Sequence, residues 1–177
     1  MKNHEVLAAI NQSLDEYRGR LDTIPDEFFT QTPPKGGWSY AEVYSHILQA
    51  DLGSSIAMER CVNGTAEPTK KGLNWLGRLF FIFNRFPPIK SPAPAGAATA
   101  KKIDKEEARN LIIKCRTRLH DISQKLDGFS KHHRVQHPRL GMLHAGHWFR
   151  FILIHTKHHL KQLNRIDAQF KSSGVKH

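Results

Sequence analysis

Residues 145–170 read AGHWFRFILIHTKHHLKQLNRIDAQF, with no proline and with apolar side chains returning every three or four positions. At about 100° per residue, with His155 placed at zero, Trp148 and Ile166 fall at about 20°, Ile152 and Phe170 at about 60°, and Leu163 at about 80°. This spacing predicts one long helix with a single inward stripe. His159 lies in the middle of that stripe, at about 40°, one turn from His155. His158 falls about 60° to the other side, towards the polar face, and Gln162 at about −20°, one turn beyond. Two imidazoles at i,i+4 stand about 5–6 Å apart at Cβ, close enough to converge on one ion.

The same periodicity appears in three further stretches. Leu7, Ile10, Leu14, Tyr17, Leu21 and Ile24 line one face of a first helix over 5–21, and the prolines and glycines of 25–37 end it. Ser39 with Glu42 forms a capping box, in which each side chain satisfies an orphan amide at a helix start. Val43, Ile47, Ala50, Ala57, Met58 and Cys61 follow on one arc, and Asn63, Gly64 and Pro68 close this second helix. Asp104 with Glu107 repeats the box ahead of Ala108, Ile112, Cys115, Leu119, Ile122 and Leu126. Residues 132–141 read as a loop. Four amphipathic helices and no convincing strand run predict an all-α four-helix bundle. Between its second and third helices, residues 64–103 are too long for an ordinary connection. They hold a short amphipathic helix over 74–86, then SPAPAGAATA at 91–100, which reads as an extended linker.

A chain of 177 residues suits one domain, taken as 1–177. No apolar run is long enough to cross a bilayer and the first residues do not form a secretory signal, so the expected location is cytoplasmic, with no membrane partner. Cys61 and Cys115 fall on apolar stripes and make no metal knuckle. Lys and Arg number 27 against 16 Asp and Glu, a net charge of +11. Such a field attracts anions. It admits a rival reading, a non-enzymatic basic helical module binding nucleic acid or protein, although no nucleic-acid motif is present.

Twelve histidines are many for this length, and helical position separates three of them. His46 lies on the border of the buried face of the second helix, with Ala50 at about 40° and Val43 at about 60°. Together His46, His155 and His159 can supply three nitrogen ligands and leave one coordination position open. Neutral imidazoles facing a core need polar partners, and a shared metal is one.

Trp38-Ser39, Glu42-Val43, His46-Ile47 and Asp51, followed far along the chain by His137-Pro138, Gly141, Leu143, Trp148, His155, His158-His159, Gln162 and Arg165-Ile166, resemble the two motif blocks of the DinB/YfiT-like superfamily. The resemblance implies an up-down-down-up bundle whose long crossover joins the second and third helices. It also implies a divalent metal, nickel or zinc, held at His46, His155 and His159. His147 departs from the acidic or polar residue expected before Trp148. Gln162, Trp148 and His158 are the candidates for orienting a ligand or lining the pocket. The resemblance further implies a metal-dependent enzyme on a small-molecule substrate, either an S-transferase using a low-molecular-weight thiol or a hydrolase, with a homodimer as a compatible assembly. No catalytic side chain is named. Asp51, at about 140° from His46, reads as a surface or interhelix residue.

Overall fold

A computed structural model describes residues 1–86 and 100–173. Among these residues, six helices and one small hairpin follow in the order α1 (Asn3–Thr23), α2 (Asp26–Phe29), α3 (Tyr40–Val62), α4 (Trp75–Phe83), α5 (Lys105–Ser123), β1 (Val135–His137), β2 (Gly141–Leu143) and α6 (Ala145–Ser172). The helix starts are set by side chains. Ser39 Oγ accepts the Glu42 amide while the Glu42 carboxylate accepts the Ser39 amide at 2.8 Å. Asp104 Oδ1 accepts the Glu107 amide at 2.7 Å, and Asn74 Oδ1 accepts that of Gly77 at 2.8 Å.

The helix directions follow from paired contacts. Arg109 meets Asp22 and Arg116 meets Asp15, so α5 runs against α1. Cys115 Sγ approaches the Leu48 carbonyl and Arg118 binds Glu59, so α5 runs with α3. Tyr17 donates to the Thr156 carbonyl and Arg20 to Asp167, so α6 runs with α1. The Asp51–Thr156 and Tyr40–Asp167 contacts run α3 against α6. The bundle is therefore up-down-down-up. Parallel neighbours α3 and α5 cannot be joined by a tight turn, which is why a long crossover is required.

That crossover is built onto the end of the bundle. Phe80 and Phe81 of α4 are buried, and the α4 N-terminus is pinned by the Asn74 amide on the Leu140 carbonyl at 3.1 Å. The expected loop at 132–141 instead contains the β1–β2 hairpin, with Gln136 opposite Met142. Three-residue strands are too short to display an alternation, so periodicity does not reveal them. The one-turn α2 was likewise unmarked. The last helix runs through Ser172, past the expected fraying point at Phe170. The linker expected over 91–100 lies, apart from Ala100, outside the described residues. Both cysteines are free and buried. No helix among the described residues is long and apolar enough to cross a membrane.

Candidate metal centre

Antiparallel packing of α3 on α6 brings the histidines together. The Tyr40–Asp167 and Asp51–Thr156 contacts mark two levels along this helix pair; His46 lies between them on α3, His159 between them on α6. His46, His155 and His159 each offer a ring nitrogen, and these atoms all lie within 4.8 Å of one another. The Nε2 atoms of His155 and His159 are 3.1 Å apart. The His46 ring stands edge-on to both, with centroids at 5.3 and 4.8 Å. His155 and His159 are buried, and His46 is half-buried.

The environment keeps these imidazoles neutral, as metal ligation requires. Burial lowers His159 to about 3, with the facing His46 and His158 adding to the effect and Gln162 opposing it. Burial also carries His155 well below the ordinary histidine value, and holds His46 below it.

Neighbouring groups orient two of the rings. His159 Nδ1 lies 2.8 Å from Gln162 Oε1; the amide oxygen can only accept, so Nδ1 carries the proton and Nε2 presents its lone pair. His155 Nδ1 points towards Asp51 Oδ1 at 3.8 Å. Both atoms are buried and have no hydrogen-bond partner among the described residues. Of the two positions that the helical wheel allowed, surface or interhelix, Asp51 does not take the surface one. It is an interhelix one, buried because α3 packs on both α5 and α6. Burial raises its carboxyl well above the usual carboxylate range, against the lowering effect of Thr156. The Thr156 hydroxyl sits 2.6 Å from the Ile152 carbonyl and 3.0 Å from Asp51 Oδ2. With one proton for two acceptors, it is best satisfied when Asp51 is neutral and donates to it.

Without a cation, His155 must place a proton on Nε2, because two facing lone pairs at 3.1 Å repel. That arrangement leaves its Nδ1 without a donor. His155 and His159 would be relieved of the conflict if they held a divalent ion, since His155 could then carry its proton on Nδ1, aimed at Asp51. Nitrogen ligands about 2.0–2.1 Å from a metal lie roughly 3 Å apart in ordinary geometries, so the 3.1 Å separation suits a shared ion.

The walls are aromatic. Phe151 stacks on His155 at 5.1 Å and 18°, and Trp38 leans on His46 at 5.0 Å. Phe86 touches His155 at 5.9 Å and His158 at 4.7 Å. His158 packs edge-on to His159 yet stays outside the converging group. Trp148 lies behind Phe151, one ring removed from His155. His147 turns away, stacked between His144 at 3.7 Å and Phe81 at 4.8 Å.

A family model described as the DinB superfamily matches residues 9–163. The chain belongs to the DinB superfamily. Two solved structures share this DinB-type bundle. One is TT2238, a four-helix bundle protein, at 18% identity and TM-score 0.59, covering 93% of this chain and 99% of its own. The other is YfiT from Bacillus subtilis, described as a probable metal-dependent hydrolase with an unusual four-helix bundle topology. It has 13% identity and TM-score 0.64, covering 99% of this chain and 89% of its own. No curated protein sequence matches the chain. At these identities the likeness is one of fold.

Among the aromatic rings around the three histidines, Trp38 and Trp148 stood in the sequence motifs, whereas Phe86 and Phe151 were unmarked. Phe86 and Phe151 come from the crossover and from a flank of α6, and no local pattern links them. His137 was noted only within its motif. Its Nδ1 accepts the Arg139 and Leu140 amides at 3.1 and 3.2 Å, closing the hairpin turn beside Phe151. A His-Pro pair followed by Gly141 is the signal that marks such a turn.

Proposed function

We propose that this protein is a divalent-metal-dependent enzyme in which His46, His155 and His159 hold one ion, nickel or zinc, and act on a small-molecule substrate. The observation that carries the reading is the convergence of three neutral imidazoles from two antiparallel helices. When bound there, such an ion supplies Lewis acidity and lowers the pKa of a water or thiol at its remaining position. Gln162 and Asp51 orient the two α6 imidazoles. Phe151, Phe86 and Trp38 restrict water around them and provide an apolar wall for substrate. Cys61 and Cys115 are unsuited as nucleophiles, since burial raises Cys61 to about 11 and Cys115 higher still. The nucleophile is therefore an incoming water, for hydrolysis, or a low-molecular-weight thiol, for S-transfer. The description of YfiT as a probable metal-dependent hydrolase supports the first; the three-imidazole donor set serves both.

Elemental analysis of protein purified without chelator should find about one divalent metal per chain. His159→Ala should lose it, whereas His158→Ala should keep it. In cobalt-substituted protein, a small thiol should shift the visible absorption, and His46→Ala should abolish that shift. An unchanged spectrum together with histidine-dependent turnover of an ester or amide panel selects hydrolysis. Full metal retention in His159→Ala rejects the site.

A further inference from the structure

The crossover helix α4 is apolar on both sides. Its inner side, Gly77, Phe80 and Phe81, is buried against the bundle end. Its outer side carries Trp75, Ile82 and Phe83, exposed by 64, 68 and 57%. Trp75 and Ile82 are seven positions apart and so share one line along the helix, with Leu79 and Phe83 beside it. Half of the large exposed hydrophobic side chains described in the protein lie on this nine-residue helix.

The end of the molecule that carries that stripe is cationic. Residues 60–86 and 128–150, which form the crossover end of the molecule, hold nine Lys and Arg and a single acid, Glu67. None of the nine makes an ion pair among the described residues; the ion pairs of the bundle draw instead on Arg20, Lys105, Arg109, Arg116 and Arg118. The basic side chains here bond neutral groups. Arg150 binds the Phe81 carbonyl and Asn84, Arg134 binds the Lys71 carbonyl, and Arg85 lies over the Phe83 ring. The pieces adjoin, because the run ahead of α4 bridges to His133, just before the hairpin, through Pro68 and to Gly141 of β2 through Leu73.

We propose that this face docks the protein on the surface of an anionic lipid bilayer, with Trp75, Ile82 and Phe83 entering the interface and the surrounding Lys and Arg meeting the headgroups. An apolar ridge with a Trp at its edge and basic flanks is the composition of an interfacial element. Each basic group near an anionic membrane adds attraction that salt screens. A second copy of the chain is a poor occupant, since self-pairing would bring two such cationic faces together. A nucleic acid would use the cations but leave Ile82 without a partner. Peripheral docking needs no spanning helix, and it departs from the expectation that the protein has no membrane partner. It stands independently of the metal site.

The test is co-sedimentation of the full chain with vesicles of equimolar phosphatidylglycerol and phosphatidylcholine, compared with pure phosphatidylcholine. Binding is expected to the anionic vesicles alone and to weaken with added salt. Trp75→Ser combined with Ile82→Ser should reduce affinity about tenfold or more, as should Arg78→Glu combined with Arg85→Glu. Ile56→Ser and Ile113→Ser, exposed elsewhere on α3 and α5, should bind as wild type. Unchanged helical content and melting temperature would show that the variants fold. Absence of sedimentation, equal binding by the Trp75/Ile82 variant, or binding to duplex DNA that needs the arginines but not Trp75 would each overturn the proposal. So would a dimer in analytical ultracentrifugation that is abolished by the Trp75/Ile82 variant in a chain that ignores vesicles.

Discussion

Asp51 is held in the core against its ionisation, hydrogen-bonded to Thr156 and with His155 Nδ1 just beyond bonding distance. In metal-free protein that acid is a burden. With an ion on the three histidines it becomes the acceptor that sets the His155 tautomer, and such supporting acceptors are worth about 10–100-fold in metal affinity. Asp51→Asn should therefore weaken zinc binding by roughly that factor in competition with a chromophoric chelator. The melting temperature of the chelator-treated variant should stay level or rise, because a desolvated carboxyl is removed. Unchanged zinc affinity would show that Asp51 does not orient His155.

At the scale of elements, α4 is the piece whose seating matters, since Phe80 packs on Phe151 and Phe151 on His155. A methyl group on Gly77 would collide with the Leu140 backbone carbonyl, which has no flexible end to give way. Gly77→Ala should lower stability by about 1–3 kcal/mol in thermal or denaturant unfolding. Gly53 offers the contrast: it lies within α3, and a Cβ there meets nothing within 4 Å. Gly53→Ala should raise stability by up to about 1 kcal/mol from helix propensity. Equal responses at the two positions would mean that α4 is not tightly seated. Ser39 and Asp104 start helices where the sequence placed them, because each cap is a contact across three residues, although only at Ser39 does the Glu side chain return the bond; Asn74 caps α4 without having been marked.

For the whole molecule, the buried histidines govern the response to acid. His137 and His144 are lowered to about 4 and His147 and His159 to about 3, chiefly by burial, and His46, His155 and His158 shift the same way. Below about 6.5 the unfolded chain takes up protons that the folded one refuses, so stability falls as pH drops from there towards about 3. Asp51 acts oppositely: its raised carboxyl keeps a proton when folded, so its contribution declines as pH rises above about 3.9. Seven histidines outweigh one carboxyl. Urea midpoints of chelator-treated protein should fall steadily between pH 6.5 and pH 4.5, and a flat profile would contradict the burial of these rings. The four long helices, the Ser39 and Asp104 caps, the bundle and the candidates His46, His155 and His159 were legible in the sequence, since helical periodicity and i,i+4 spacing are local and report which side faces inward. The β1–β2 hairpin, the aromatic wall from Phe86 and Phe151, and the burial of Asp51 were not. Each depends on which helices become neighbours, and α3, flanked by both α5 and α6, is buried on faces that a single amphipathic stripe does not mark. Sequence determined the helices and the histidines they carry; only tertiary packing decided that those histidines meet, with Asp51 and Gln162 behind them, because side chains from α3 and α6 come within bonding reach only once the two helices lie antiparallel.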